Sequence, residues 1–440
     1  MYLIYNLLLL FLLIILLPYY YFKNLSSGDN LGIKERFAFY TEQQKDLFPA
    51  EQVIWIQAAS AGETLAAEQL TAAIRDQYPA AKIIFSTLTA SGKSLAEKKI
   101  STADLIIYLP FDLDFIVRRA VKLFQPDLFI MIETELWPNL IKNLAANDCK
   151  LILASGRISD DSFDNYKLLA PLVAKTLTKV DVFSMQNQET AGRIAELGAP
   201  LSHICINGNL KYDLGLNSPT TAEIAVEFKR LGLKAASQLI VAGSTHQGEE
   251  EIILAVYKKL AAEFSQLKLL LAPRYVERRE ELLQLCSDYG LRAELYSKLK
   301  KKAIPTDQRQ SNQVIIIDTM GELARLYYYA ELVFVGGSLI KRGGHNIIEA
   351  AALGRVVLFG NSMYNFKEER DFLLAEKAAF EVSNQADFYQ TAFNLLADDN
   401  YRQQTAELAK KVIAKNRGSV ARHLKLIEVL LDQGVDDNAE

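Results

Sequence analysis

Short apolar runs recur along the chain, separated by stretches in which apolar positions return every three or four residues. Val53–Ala58, Lys82–Ser86, Leu105–Leu109, Leu128–Glu133, Lys150–Ala154, Val182–Met185 and His203–Ile206 form a first series. Gln238–Ala242, Lys268–Ala272, Val314–Ile317, Leu332–Val335, Val356–Phe359 and Ala379–Val382 form a second. Unbroken runs rich in Ile, Val, Leu and Phe predict strands buried on both faces, whereas the helical spacing of Thr64–Arg75 and Phe115–Phe124 predicts covering helices. The alternation predicts an α/β protein built on parallel sheets. Strand-like runs pause between Gly208 and Gln238, where Gly215, Asn217, Ser218 and Pro219 precede a helical stretch. A domain boundary there leaves residues 23–215 and 216–440 as two doubly wound domains. Such domains bind ligands at the carboxyl ends of their strands.

The N-terminus breaks the pattern. Residues 1–22 hold one strongly polar side chain, Asn6, and an uninterrupted Leu, Ile and Phe run from Leu7 to Leu17. As a helix this segment would be roughly 33 Å long at about 1.5 Å per residue, near the thickness of a bilayer core. Tyr19, Tyr20 and Tyr21 suit an interfacial belt, and Lys23, Lys34 and Arg36 follow with no Lys or Arg before the run. These features predict an N-terminal membrane anchor with the body of the protein on the cytoplasmic side. Pro18 leaves open a shallower, one-leaflet anchor.

Bulk properties narrow the function classes. With 440 residues, 50% hydrophobic and 23% charged, the chain is long enough for two cores, and a net charge of -4 lacks the basic excess of a nucleic-acid binder. Cys149, Cys205 and Cys286 are too scattered for a disulfide framework or a zinc pattern, and the four histidines show no metal-ligand spacing.

Candidate chemistry gathers where strands end. Ser60-Ala61-Gly62-Glu63 opens a helix, so Glu63 is either a dipole-stabilising carboxylate or a general base. Glu133 and Glu135 place two carboxylates after one strand, at a cost in repulsion unless each finds a partner. Arg157 follows Ser155-Gly156, Lys211 lies in Gly208–Asp213, and Arg274 follows Pro273. The stretch Val335–Phe366 carries two glycine pairs, Gly336-Gly337 before Ser338 and Gly343-Gly344 before His345-Asn346, with Glu349 beyond. Glycines at a strand-to-helix junction admit close approach of backbone to a phosphate. The acidic candidates fall in the first half and the glycine loops in the second, which points to an acceptor-plus-base domain followed by a nucleotide-linked donor domain.

These segments together resemble the Kdo transferases, the 3-deoxy-D-manno-octulosonic acid transferases of lipopolysaccharide synthesis. The matching motifs are WIQAASAGE (Trp55–Glu63), ETELWPNL (Glu133–Leu140), GNLKYD (Gly208–Asp213), GSTHQGEEE (Gly243–Glu251), Pro273-Arg274 and MGEL (Met320–Leu323). The resemblance implies a GT-B fold, two Rossmann-like domains facing across a cleft, with a C-terminal helix often crossing back. It implies inverting, metal-independent transfer of Kdo from CMP-Kdo to a lipid A precursor at the cytoplasmic face of the inner membrane, with no cofactor and no nucleic acid. By position Glu63 resembles the catalytic base, and Glu133 or Glu135 the second carboxylate region. Arg274, Gly336, Gly337, Ser338, Asn346 and Glu349 resemble CMP-binding positions, with Lys211 and the segment containing Gly321 framing the donor. Ser60, Gly62 and Arg157 fall to the acceptor side. Departures from the family pattern stand at Gln57, Ser155, Tyr275, Ile348 and Ala350, and they bear on acceptor detail more than on the reaction. The rival readings are a UDP-sugar glycosyltransferase or epimerase of similar fold, and a membrane-anchored protein without catalysis.

Overall fold

The computed structural model describes residues 1–27, 32–213, 219–234, 236–301 and 313–436, without the side chains of residues 16–27, 313 and 433–436. The side chains of Pro18 and of the proposed belt Tyr19–Tyr21, the boundary residues Gly215, Asn217 and Ser218, and residues 437–440 lie outside that description. The chain divides into two compact units, Met1–Asp213 with Asn416–Glu440, and Leu214–Lys415.

The first unit carries seven strands, β1 (Val53–Gln57), β2 (Lys82–Thr87), β3 (Leu105–Tyr108), β4 (Leu128–Ile132), β5 (Lys150–Gly156), β6 (Val182–Met185) and β7 (Ile204–Ile206). They form a parallel sheet in the order β3-β2-β1-β4-β5-β6-β7. The second unit carries β8 (Gln238–Thr245), β9 (Leu267–Pro273), β10 (Arg292–Leu295), β11 (Gln313–Ile316), β12 (Leu332–Val335), β13 (Val356–Gly360) and β14 (Ala379–Val382), also parallel, in the order β10-β11-β9-β8-β12-β13-β14. Every strand run read from sequence is present. The exception on the other side is β10, whose Arg-Ala-Glu-Leu sequence has no apolar run because it is an edge strand paired only with β11.

Both sheets reverse direction of build at one point, between β1 and β4 in the first and between β8 and β12 in the second. At these switch points the loops leave in opposite directions and open a crevice at the strands' carboxyl ends. Burial on both faces explains the unbroken apolar runs. One face of the first sheet packs Trp55, Phe124, Phe129 and Phe183, and the other packs Ile54, Ile56, Phe85 and Ile130. Ile427 and Leu430 of the C-terminal helix Ser419–Asp436 join that second face.

The C-terminal helix is tied down by polar contacts that apolar spacing does not announce. Asp213 accepts from the Gly418 and Val420 N–H groups at 2.7 and 2.6 Å, capping its start. His423 is fully buried. Its Nε2 accepts from Ser155 N–H at 3.0 Å and its Nδ1 lies 2.7 Å from the Ser419 carbonyl. Burial holds its pKa down to about 4, so it is a neutral structural imidazole.

The N-terminal segment differs from the expected span. A helix runs over Tyr2–Ser27, but among the described residues no helix is long and apolar enough to cross a membrane. One side of this helix is seated on the first unit. Tyr5 donates to Asp112 at 2.9 Å, Asn6 and Asn139 exchange hydrogen bonds at 3.1 Å, and Leu9 and Leu13 pack on the core. The other side leaves Leu3, Ile4, Leu7, Phe11 and Ile14 exposed.

Candidate active site

The switch point of the first sheet holds the carboxylates. Ser60 caps the helix Ala61–Gln77, and Glu63 stands in its first turn. Its two oxygens accept from Ala59 N–H at 2.6 Å and from the Ser60 hydroxyl at 2.9 Å, so the carboxylate is aimed back over the end of β1. Glu133 and Glu135 follow β4, the neighbour of β1 across the switch. Glu133 sits at φ 61, a left-handed conformation that a non-glycine residue adopts at a cost of about 1 kcal/mol or more. Ser155, near the end of β5, is left-handed too at φ 55. Strained backbone at two adjacent strand ends is a mark of a site whose side chains must point where regular structure would not send them.

Three carboxylates in one place alter one another. Burial, then the charge of Glu133, pushes the Glu63 carboxyl above its ordinary range, against the opposing pull of Ala59 N–H and Ser60. Burial, then the charge of Glu63, pushes Glu135 up to about 8, so at neutral pH it is largely a neutral acid, 2.8 Å from the Trp137 indole N–H. Glu133 instead pairs with Lys211 at 2.6 Å. One ionised pair, one neutral acid and one half-buried carboxylate of raised pKa is the division of labour that acid–base chemistry uses.

Lys211 lies in the first unit and pairs there with one of its carboxylates. Gly62 is exposed in the same first turn as Glu63, and Arg157 follows β5 at the same edge of the sheet. Ser155 has a structural task. Its hydroxyl accepts from Leu210 N–H at 3.3 Å and from Gln186 Nε2 at 3.2 Å, tying the Gly208–Asp213 segment to the sheet.

The second switch point holds the glycine loops. Gly336 follows β12 where a Cβ would lie 2.6 Å from the Ser244 carbonyl oxygen, so glycine is required there by close strand approach. Gly337 is left-handed at φ 69, and its N–H donates to Glu249 at 2.6 Å. Glu249 is fully buried, and burial pushes it up to about 7. The Ser338 hydroxyl is buried and committed, donating to the Val335 carbonyl and accepting from Gly360 N–H at 2.8 Å. The Ser338 carbonyl accepts from Ser362 N–H at 2.9 Å, and the Ser338 N–H bonds Glu249. The second glycine pair is closely packed, since a Cβ on Gly343 or Gly344 would strike Asn365 or Met363.

The helix carrying Glu349 is only Ile348–Ala352, so its dipole is small. Asn346 accepts from Ile348 N–H at 3.0 Å and donates to Glu349 at 3.1 Å. Gly321 is exposed and left-handed at φ 81. Arg274 emerges after β9 with its N–H bonded to the Thr245 carbonyl, bringing it beside His246.

The GSTHQGEEE segment does more than a helix start. Thr245 donates to buried Glu250 at 2.9 Å, and Arg278 grips the same carboxylate with two bonds at 3.0 and 2.7 Å. His246 and His345 approach Nε2 to Nε2 at 2.9 Å. The sequence signal for these partners was a Thr, a His and two Glu immediately after a strand at a glycine-rich turn, with an Arg behind the next strand.

Two parallel, doubly wound units, each with a polar cluster at its switch point, define the two-domain architecture found among GT-B glycosyltransferases and sugar epimerases. A UDP-GlcNAc 2-epimerase from Neisseria meningitidis matches over 83% of this chain and 99% of its own, with a TM-score of 0.57 at 14% identity. A glycosyltransferase from Rickettsia africae matches over 87% and 99%, with a TM-score of 0.55 at 11% identity. Both show likeness of fold alone. The sequence is more specific. The family profile described as 3-Deoxy-D-manno-octulosonic-acid transferase (kdotransferase) matches residues 32–214. A 3-deoxy-D-manno-octulosonic acid transferase of Haemophilus influenzae is 33% identical over 92% of this chain and 92% of its own. The chain belongs to this transferase family, which is a family of glycosyltransferases.

Proposed function

We propose that the protein transfers Kdo from CMP-Kdo to a lipid A precursor, with Glu63 as general base. The observation that carries the reading is the Glu63 carboxylate itself. It is half-buried, held in place by Ala59 and Ser60, and raised in pKa at the switch point of the first sheet. A base for an acceptor hydroxyl is best served by a carboxylate of raised pKa that is fixed before the substrate arrives. In this reading the first unit receives the acceptor, with Ser60, Gly62 and Arg157 lining its approach. Glu133 with Lys211 tunes the base, and neutral Glu135 donates a hydrogen bond. The second unit receives CMP through Arg274, the Gly336–Ser338 loop, and the Asn346–Glu349 pair, with Gly321 framing it. An inverting transfer takes the hydroxyl proton onto Glu63 while the electron pair of the broken glycosidic bond leaves on the CMP phosphate.

The charges around Glu63 make opposite predictions for its neighbours. Glu133 raises the Glu63 pKa and Lys211 lowers it. Activity requires ionised Glu63, so it falls as pH drops through that pKa. Glu133→Gln should move the acid limb of the kcat/KM profile to lower pH, and Lys211→Met should move it to higher pH. Initial-rate profiles between pH 5 and 8 measure both, and limbs that move together or not at all contradict the assignment.

The acceptor is a lipid, and the N-terminal helix suits its surface. We infer that the Tyr2–Ser27 helix lies in one leaflet, with the Tyr5, Asn6, Leu9 and Leu13 side seated on the protein. Leu3, Leu7, Phe11 and Ile14 then face the acyl chains. Lys142 and Lys175 lie 5.1 and 5.8 Å from the Tyr2 ring, where anionic headgroups would meet them. The body of the protein then stands on the cytoplasmic side, as the distribution of Lys and Arg implies.

A further inference from the structure

Beside the glycine loop of the second unit is a pair of imidazoles to which the reaction described above gives no task. His246 leaves the end of β8 and His345 follows Gly343-Gly344, and their Nε2 atoms lie 2.9 Å apart. The rings are nearly parallel, with an interplanar angle of 9°. Such a contact requires that one Nε2 carry a hydrogen and the other a lone pair, and the lowered pKa of both rings favours the pair as neutral imidazoles. Both rings are only half-buried and open to a ligand. The His345 ring lies 3.1 Å from where a Cβ of Gly337 would be, so it borders the glycine loop directly.

The surroundings are cationic. Arg274 and Tyr275 come from the segment after β9, Arg278 from the turn behind it, and Arg342 from the loop after β12. On the acidic side, Glu250 is engaged by Arg278, and Glu249 is turned to Gly337 N–H, with burial pushing its pKa up to about 7. Burial, then the Arg342, Arg274 and Arg278 charges, hold the His246 pKa down. Burial, then His246 and Arg274, hold His345 down to about 4. An arriving anion reverses that field.

We propose that His246 and His345 form a proton-linked anion site that binds the phosphate ester of the donor and takes up one proton as it does so. Without the proton, the two Nε2 atoms satisfy each other. With it, both become N–H donors, their mutual hydrogen bond is lost, and two N–H···O bonds to one phosphate replace it, one from an imidazolium and one from a neutral imidazole. The anion supplies the charge that makes the second proton tolerable, and Arg274 and Arg342 supply further positive charge. The pair thus distinguishes a charged phosphate ester from an uncharged nucleoside, and donor capture strengthens where protons are available. This deepens the proposed donor role of the second unit and rests on it.

The chain has only four histidines, so their imidazole C2–H resonances are assignable from single His→Gln substitutions. The full chain is titrated between pH 4.5 and 8.5, free, with saturating CMP, and with cytidine. In the free protein both midpoints are expected below the ordinary imidazole value, that of His345 near pH 4. With CMP, the midpoint of the pair should rise by about one pH unit or more, with cytidine leaving it unmoved and His203 and His423 serving as controls. His345→Gln and, separately, His246→Gln should each weaken CMP binding about tenfold while leaving cytidine binding unchanged. CMP that saturates the protein without moving either midpoint overturns the proton-linked site and leaves the donor reading intact. A failure of CMP to bind at all contradicts both.

Discussion

Glu63→Gln is expected to retain CMP binding and lose turnover by roughly 10²–10⁴-fold, the usual contribution of a positioned general base. The substitution keeps the shape and one hydrogen-bond-accepting oxygen, so the Ala59 and Ser60 contacts that fix the side chain are largely preserved. What it removes is the capacity to take a proton. Because the glycine loops lie in the other unit, CMP affinity measured by calorimetry should be unchanged. The loss should appear in kcat, since the proton moves only in the transition state. Turnover within a few fold of the parent protein would remove Glu63 from the base role. The neutral neighbour Glu135 would be the next carboxylate to consider.

The second large effect is on stability. Arg278→Met should destabilise the protein by about 3–5 kcal/mol, because it leaves the Glu250 carboxylate buried without its bidentate partner. Thr245 alone would remain bonded to it. The double variant Arg278→Met with Glu250→Met should recover most of the loss, since replacing both ions by apolar groups of similar volume is often neutral. Urea unfolding followed in parent, single and double variants measures this. A single variant as stable as the parent would show that Glu250 is neutral in the folded protein and that the pair contributes little. The pair matters to function because it holds Thr245, and with it the strand end from which His246 departs.

How much of this was readable from the chain differs by level. The strands were legible because burial on both faces turns each into an unbroken apolar run, and only the edge strand Arg292–Leu295 escaped for want of one. Their order was not written in the runs, yet it decides everything, since it places the ends of β1 and β4 side by side and so brings Glu63 to Glu133 and Glu135. Glu63 was legible as a carboxylate at a strand end. That Lys211 pairs with Glu133 was not, because nearly eighty residues of sequence hide a contact of 2.6 Å. The glycine pairs were read as one kind of feature and prove to be two. Gly336 and Gly337 shape the loop beside Glu249 and His345, while Gly343 and Gly344 make room for Asn365 and Met363. Ser338 had the residue type of a phosphate ligand, but its hydroxyl bonds Val335 and Gly360. The N-terminal helix read as a bilayer span from composition. Its partners Asp112 and Asn139, distant in sequence, show that one side belongs to the protein.

The most direct test of the central claim is to incubate the full chain in lipid or detergent with CMP-Kdo and a tetra-acylated lipid A precursor, and to weigh the product by mass spectrometry. The account predicts one or more mass increments of a Kdo residue, released CMP in equal number, and no product from Glu63→Gln. An unshifted acceptor alongside a protein that binds CMP, or transfer from a UDP-sugar in its place, would contradict it.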